Sequence, residues 1–131
     1  MANKIAFDLV SPEKLLLSAQ ADMVTVPGTE GYMGVMAGHA PIVTTLRAGM
    51  IDVNADGRDD RYFIRGGFAE IGPAKITVLA EEAVPMTELD LAVLDQRIKD
   101  AQEDELAAEN DADRLRAAQL VDDLKLVRAA F

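Results

Sequence analysis

Glycine and proline are distributed so unevenly along this chain of 131 residues that they divide it into two segments with different folding rules. All nine glycines fall at or before Gly72, the last of the five prolines is Pro85, and neither residue occurs in the 46 positions from Met86 onward. Both residues punctuate turns, so their complete loss means that the chain stops turning sharply and begins to run as helix. The division is placed at Pro85, giving segments 1–85 and 86–131.

In the first segment the apolar pattern has period two. Ile5, Phe7 and Leu9 alternate with Ala6 and Asp8, and Val24 and Val26 alternate across Thr25. Short runs rich in β-branched or aromatic residues follow at Ile42 to Leu46, Met50 to Val53, Tyr62 to Arg65, Gly67 to Ile71 and Lys75 to Ala80. Turn dipeptides such as Ser11-Pro12, Asp56-Gly57 and Gly72-Pro73 separate them. Many short strands with turns between them and no helical period argue for a β-sandwich or flattened barrel rather than alternating β and α units.

The second segment reads as an antiparallel α-helical hairpin. Thr87 with Asp90 three residues later suggests a capping box. Leu91, Leu94, Ile98 and Ala101 recur at helical spacing, as do Ala117, Leu120, Leu124, Val127 and Phe131. Between the two stripes, Glu109-Asn110-Asp111-Ala112-Asp113 favours caps and turns, which predicts two helices over one rod. Such thin stripes bury little area between themselves, so the hairpin is expected to lean on another surface.

Charge and composition remove several classes of function. There is no cysteine, hence no disulfide scaffold, thiolate metal site or cysteine nucleophile. The net charge of −10 repels a phosphate backbone, which argues against nucleic acid as partner. No run approaches the about 20 apolar residues that span a bilayer, and Met1-Ala2-Asn3-Lys4 lacks a signal-peptide pattern. The expectation is a folded protein that is neither exported nor membrane-spanning.

Chemical motifs give way to plainer readings. Asp52-Val53-Asn54-Ala55-Asp56-Gly57 matches the opening of a calcium-binding loop, but the twelfth position is Phe63 instead of glutamate and the flanks read as strands. A hairpin tip is the expectation. His39 is the only histidine, so no second imidazole exists for a metal pair or a relay, and a structural or interface role is assigned to it. Gly28-Thr29-Glu30-Gly31 with Gly34 and Gly38 lacks the lysine of a phosphate-binding loop and reads as turns. The adjacent Glu81 and Glu82 would point to opposite faces of a strand, which does not suit a paired-carboxylate hydrolase. No catalytic residue and no metal ligand are assigned. Composition alone leaves open a free-standing β-sandwich ligand-binding module with a helical dimerisation seam.

Taken together, Val26-Pro27-Gly28-Thr29-Glu30-Gly31, Gly34-Val35, Gly38-His39-Ala40-Pro41, Leu46 with Gly49, and Gly66-Gly67-Phe68-Ala69-Glu70-Ile71 followed by Ile76-Thr77-Val78-Leu79-Ala80 closely resemble the epsilon subunit of bacterial F-type ATP synthases. The resemblance spans essentially the whole chain. It implies a non-catalytic rotor component of the central stalk in a proton-translocating complex, peripheral on the cytoplasmic face of the bacterial inner membrane. It further implies a sandwich that docks on the gamma subunit and the c-ring, with Glu30, Gly31 and His39 in the region facing them.

The same resemblance implies a hairpin that can leave the sandwich, reach the alpha and beta subunits and restrain ATP hydrolysis, and in some relatives binds ATP. The nucleotide signature of those relatives, Leu-Asp-x-x-Arg-Ala, stands here as Leu89-Asp90-Leu91-Ala92-Val93-Leu94. Asp90 is kept, while Val93 replaces an arginine that would fork onto phosphate, which argues against ATP as a bound cofactor. Residues 86–131 carry twelve acids and six bases, which predicts weak inhibition of hydrolysis.

Overall fold

A computed structural model describes residues 3–131. Met1 and Ala2, part of the stretch read above for a signal peptide, lie outside the described residues. The fold is a β-sandwich followed by a hairpin of two helices, as expected. The chain separates into two compact units between Thr87 and Glu88.

The described residues of the first unit form ten strands: β1 (Ile5–Val10), β2 (Leu15–Ala21), β3 (Met23–Gly28), β4 (Gly31–Val35), β5 (Ile42–Leu46), β6 (Gly49–Ala55), β7 (Arg58–Ile64), β8 (Gly67–Ile71), β9 (Lys75–Ala80) and β10 (Ala83–Pro85). Their order is β10-β7-β6-β3-β5-β8-β9-β1-β2, with β4 on β3. All pairings are antiparallel except β1 with β9. The curled sheet brings β2 against β6. β3 meets β5 in a single bridge, Gly28 to Leu46, and Arg47 N–H donates to the Pro27 carbonyl at 2.9 Å beside it. Inward residues of opposing strands make the core: Ile5, Phe7, Leu9, Val24, Val26, Ile51, Ile76 and Val78 are fully or almost fully buried. The period-two pattern of β1 is therefore realised residue for residue, inward at 5, 7 and 9.

Three strands were not evident in the sequence. β2 carries a register shift opposite Leu9 and Val10, so its apolar pattern slips out of period two. β4 contains Gly31 and Gly34, which read as turn residues; Gly34 instead lies within the strand, where an added Cβ would sit 3.2 Å from Met23 Sδ. β10 has only three residues.

In the second unit, α1 (Leu91–Ala107) and α2 (Asp111–Ala129) pack together. The Arg128 guanidinium donates to Asp95 at 2.8 Å, joining the end of α2 to the start of α1 and fixing the antiparallel sense. Helix α1 starts later than the capping box implied. Met86–Glu88 forms a single 3-10 turn, and Asp90, not Thr87, caps α1, its carboxylate accepting from Ala92 N–H at 2.8 Å. Asn110 caps α2 by accepting from Asp113 N–H at 2.8 Å, so the connection breaks where the poor helix formers stand. Leu94, Ile98 and Ala101 are buried as expected, and Leu91 is exposed. On α2 the buried residues include Val121, Leu124 and Val127, while Phe131 is half exposed because the helix ends before it and its periodicity no longer applies.

Candidate functional site

Glu30 and Gly31 occupy the tight turn joining β3 to β4. Gly28 pairs with Gly31, leaving Thr29 and Glu30 as the two loop residues. Gly31 has φ +134°, which suits glycine, and an added Cβ at Gly28 would lie 3.0 Å from the Gly31 carbonyl. The Arg47 guanidinium reaches the Thr29 carbonyl at 3.4 Å. The result is a braced tip with Glu30 exposed on it.

His39 lies in the loop beyond the other end of β4. Its Nδ1 stands 2.7 Å from the Ala40 carbonyl, a contact that puts the proton on Nδ1, and its backbone N–H donates to Met36 at 3.3 Å. Gly38, at φ +90°, donates its N–H to the Pro73 carbonyl at 2.7 Å and ties this loop to the β8–β9 turn. The structure therefore does not gather Glu30, Gly31 and His39 into one cluster. A five-residue strand, about 13 Å long at the usual rise, separates the two turns.

Asp52 to Gly57 form no calcium loop. Asp56 and Gly57 are the two residues between the paired Ala55 and Arg58, with φ of 54° and 79°, the conformation of a tight hairpin turn. Lys4 binds Asp56 at 2.7 Å and Asp22 at 2.8 Å, and the Asp56 N–H donates to Asp22 at 2.9 Å. Asp52 pairs loosely with Arg61 at 3.5 Å; burial and the nearby Asp59 push its carboxyl above the usual value. No group of three or more His, Cys, Asp or Glu is placed to hold a metal among the described residues.

A surface that sequence reasoning missed crosses the outer face of the sheet. The ladder registers align Thr45, Phe68, Leu79, Val10 and Leu15 in one row over five strands. Phe68 is 46% exposed, Leu79 37% and Leu15 57%, and Val43, one row away on β5, is 68% exposed. An apolar row turned outward on a sheet is a candidate interaction surface. Phe68 and Leu79 alternate along β8 and β9 with the core residues Ala69 and Val78, and the alignment of their strands with β1 and β2 could not be read from local pattern.

A family model described as ATP synthase, Delta/Epsilon chain, beta-sandwich domain matches residues 4–86. The ATP synthase epsilon chain of Parvibaculum lavamentivorans is 54% identical over 129 residues, covering 98% of each chain. This chain belongs to the ATP synthase epsilon chain family. The epsilon chain of Maricaulis maris is 47% identical over 92% of this chain and 91% of that one. Among solved structures, a chain of the Euglena gracilis mitochondrial ATP synthase, determined with OSCP, F1 and the c-ring, superposes with TM-score 0.79 at 28% identity over 97% of this chain and 81% of that one. As an epsilon chain, the protein is a subunit of ATP synthase. No helix among its described residues is long and apolar enough to cross a membrane.

Proposed function

We propose that this epsilon chain is a non-catalytic rotor subunit that couples the c-ring to the gamma subunit through its β-sandwich, from a peripheral position on the cytoplasmic face of the inner membrane. The outward apolar row of Phe68, Leu79, Val10 and Leu15 carries the reading, because a face of this kind needs a protein partner. The braced turns at Glu30 and His39, one at each end of β4, supply two separate contacts, which suits a subunit held between two partners. Torque transfer requires stiff contacts, and both turns are braced, the first by the Arg47 guanidinium on the Thr29 carbonyl and the second by the Gly38 N–H on the Pro73 carbonyl.

Asp90 has a structural employment as the cap of α1, and Val93 is an exposed aliphatic side chain with neither charge nor donor for a phosphate. The hairpin consequently works without ATP as a cofactor and restrains hydrolysis weakly when it reaches the alpha and beta subunits.

Co-purification from native membranes tests the coupling role. Recovery of gamma and c-ring with the tagged chain supports it, whereas a stable lone homodimer favours a free-standing binding module. Removal of residues 86–131 tests the regulatory part, where a many-fold rise in ATPase activity would overturn weak inhibition.

A further inference from the structure

Asp56-Gly57 is the one Asp-Gly pair in the chain, and every other aspartate is followed by a residue that carries a Cβ. The pair makes up the whole loop of the β6–β7 hairpin, between the ladder partners Ala55 and Arg58. Asp56 has φ 54°, the only positive value at a residue other than glycine among the described residues, and its side chain is 83% exposed. Left-handed backbone strains a residue that has a Cβ, so the turn stores energy at Asp56.

The hydrogen bonds of this turn stop at Asp56. Its N–H donates to Asp22 at 2.9 Å, and Lys4 holds one of its carboxylate oxygens at 2.7 Å while binding Asp22 at 2.8 Å. Gly57 is exposed, its N–H makes no hydrogen bond among the described residues, and nothing lies within 4 Å of where a Cβ would stand. A free backbone nitrogen next to an exposed side-chain carboxyl is the reactant pair for closure of a five-membered imide, with the two groups already in one molecule. The Gly57 nitrogen attacks Asp56 Cγ, the N–Cγ bond forms, the Cγ–OH bond breaks, and the hydroxyl leaves with the amide proton as water. Water then returns at either carbonyl of the ring. Opening at Cγ restores aspartate, whereas opening at the α-carbonyl leaves the main chain running through Cγ as an isoaspartyl residue. Water is the sole co-reactant and the mass of the chain is unchanged.

We infer that Asp56 is a site of spontaneous isoaspartyl modification in the folded protein, and that Lys4 is its brake. Lys4 anchors one oxygen of the carboxylate, and an anchored carboxylate is a poor acceptor for the Gly57 nitrogen. The product adds a methylene to the main chain of a two-residue turn and removes the left-handed constraint at Asp56. Ala55 and Arg58 then no longer close the hairpin in the same register, and the carboxylate that Lys4 holds is rebuilt on a different carbon.

Prolonged incubation of the full chain at neutral pH tests the inference, with isoaspartate located by electron-transfer fragmentation and counted by enzymatic methyl transfer from S-adenosylmethionine. Product should accumulate at Asp56 ahead of every other aspartate, and no more than about tenfold more slowly than in the chain unfolded in urea, because an exposed turn opens at little cost. Lys4→Gln should raise the rate in the folded chain about two- to fivefold, the worth of one exposed ion pair, and leave the rate in urea unchanged. Lys4→Arg, which keeps the ion pair, should behave as the parent does. A folded chain whose Asp56 stays intact while the unfolded chain converts would overturn the inference, since the turn would then protect the pair. Product appearing first at another aspartate would overturn it as well. Equal rates for folded Lys4→Gln and the parent would overturn the role of Lys4.

Discussion

The hydroxyl of Tyr32 on β4 accepts a hydrogen bond from the backbone N–H of Met50 on β6 at 3.1 Å, across a point where no ladder joins the two strands. Gly49 makes the approach possible. A Cβ there would fall 2.8 Å from the Tyr32 hydroxyl and 2.9 Å from Pro27 Cβ. Tyr32→Phe keeps the ring and loses the bond, and should cost about 1 kcal/mol in urea unfolding. Gly49→Ala should cost more, since Pro27 cannot move freely. Equal stability of Tyr32→Phe and the parent would show that water replaces the bond without loss.

Gly67 is the least replaceable glycine. Its φ is +146°, and an added Cβ would collide with the backbone of Leu79 and Ala80 on the adjacent strand. Gly67→Ala should destabilise the sandwich by about 3 kcal/mol or more, from combined strain and collision. Gly57→Ala, at φ 79° in an open turn, should cost only about 1 kcal/mol. Comparison of their denaturation midpoints checks the ranking.

Acid should weaken the sandwich through two carboxylates. The Lys75 ammonium and then the Ser18 hydroxyl hold Asp8 below the usual carboxylate value; Lys4, then the Asp56 N–H, does the same for Asp22. A depressed folded value means stability that is full above the unfolded pKa of about 3.9 and is lost as pH falls through the folded value. Asp8→Asn should flatten the stability profile as pH falls below about 4. Asp52 has the opposite sign: burial raises its value, so its ionisation opposes folding, and the penalty fades as pH falls through the raised value. Asp52→Asn should therefore be more stable than the parent at pH 7, with the gap narrowing in acid. A wider gap at pH 4 would contradict this.

Asp90 tests whether a residue kept from a nucleotide signature is retained for its cap. Asp90→Ala should lower the stability of the hairpin by about 1 kcal/mol, and Asp90→Asn, which can still accept from Ala92 N–H, should lower it little. Calorimetry with MgATP should show no heat of binding for either variant or the parent.

Much of the architecture was legible because it rests on local rules. The alternation of Ile5, Phe7 and Leu9 placed the inward face of β1, and the Asp56-Gly57 pair announced the β6–β7 turn. Asn110 marked the break between the helices, while the start of α1 was misplaced because Thr87 and Asp90 are both good capping residues and only the backbone at Asp90 decides between them. The turns at Glu30 and His39 were legible from their glycines; the apolar row was not, since Leu15 and Phe68 look like ordinary core residues in the sequence.

The sequence by itself determined the division into a sheet segment and a helical one, the strands with a clear apolar pattern, and the family to which the chain belongs, since these are carried by residues close together in the chain. Only the tertiary structure decided that β1 runs parallel to β9, that Leu15, Val10, Leu79 and Phe68 share one outward row, and that β2 is left with an open edge. The row is joined across the sheet by the pairing of β1 with β9, between residues 69 positions apart such as Val10 and Leu79, where a shift of one residue would exchange the two faces of a strand and no local pattern records which register closes the core.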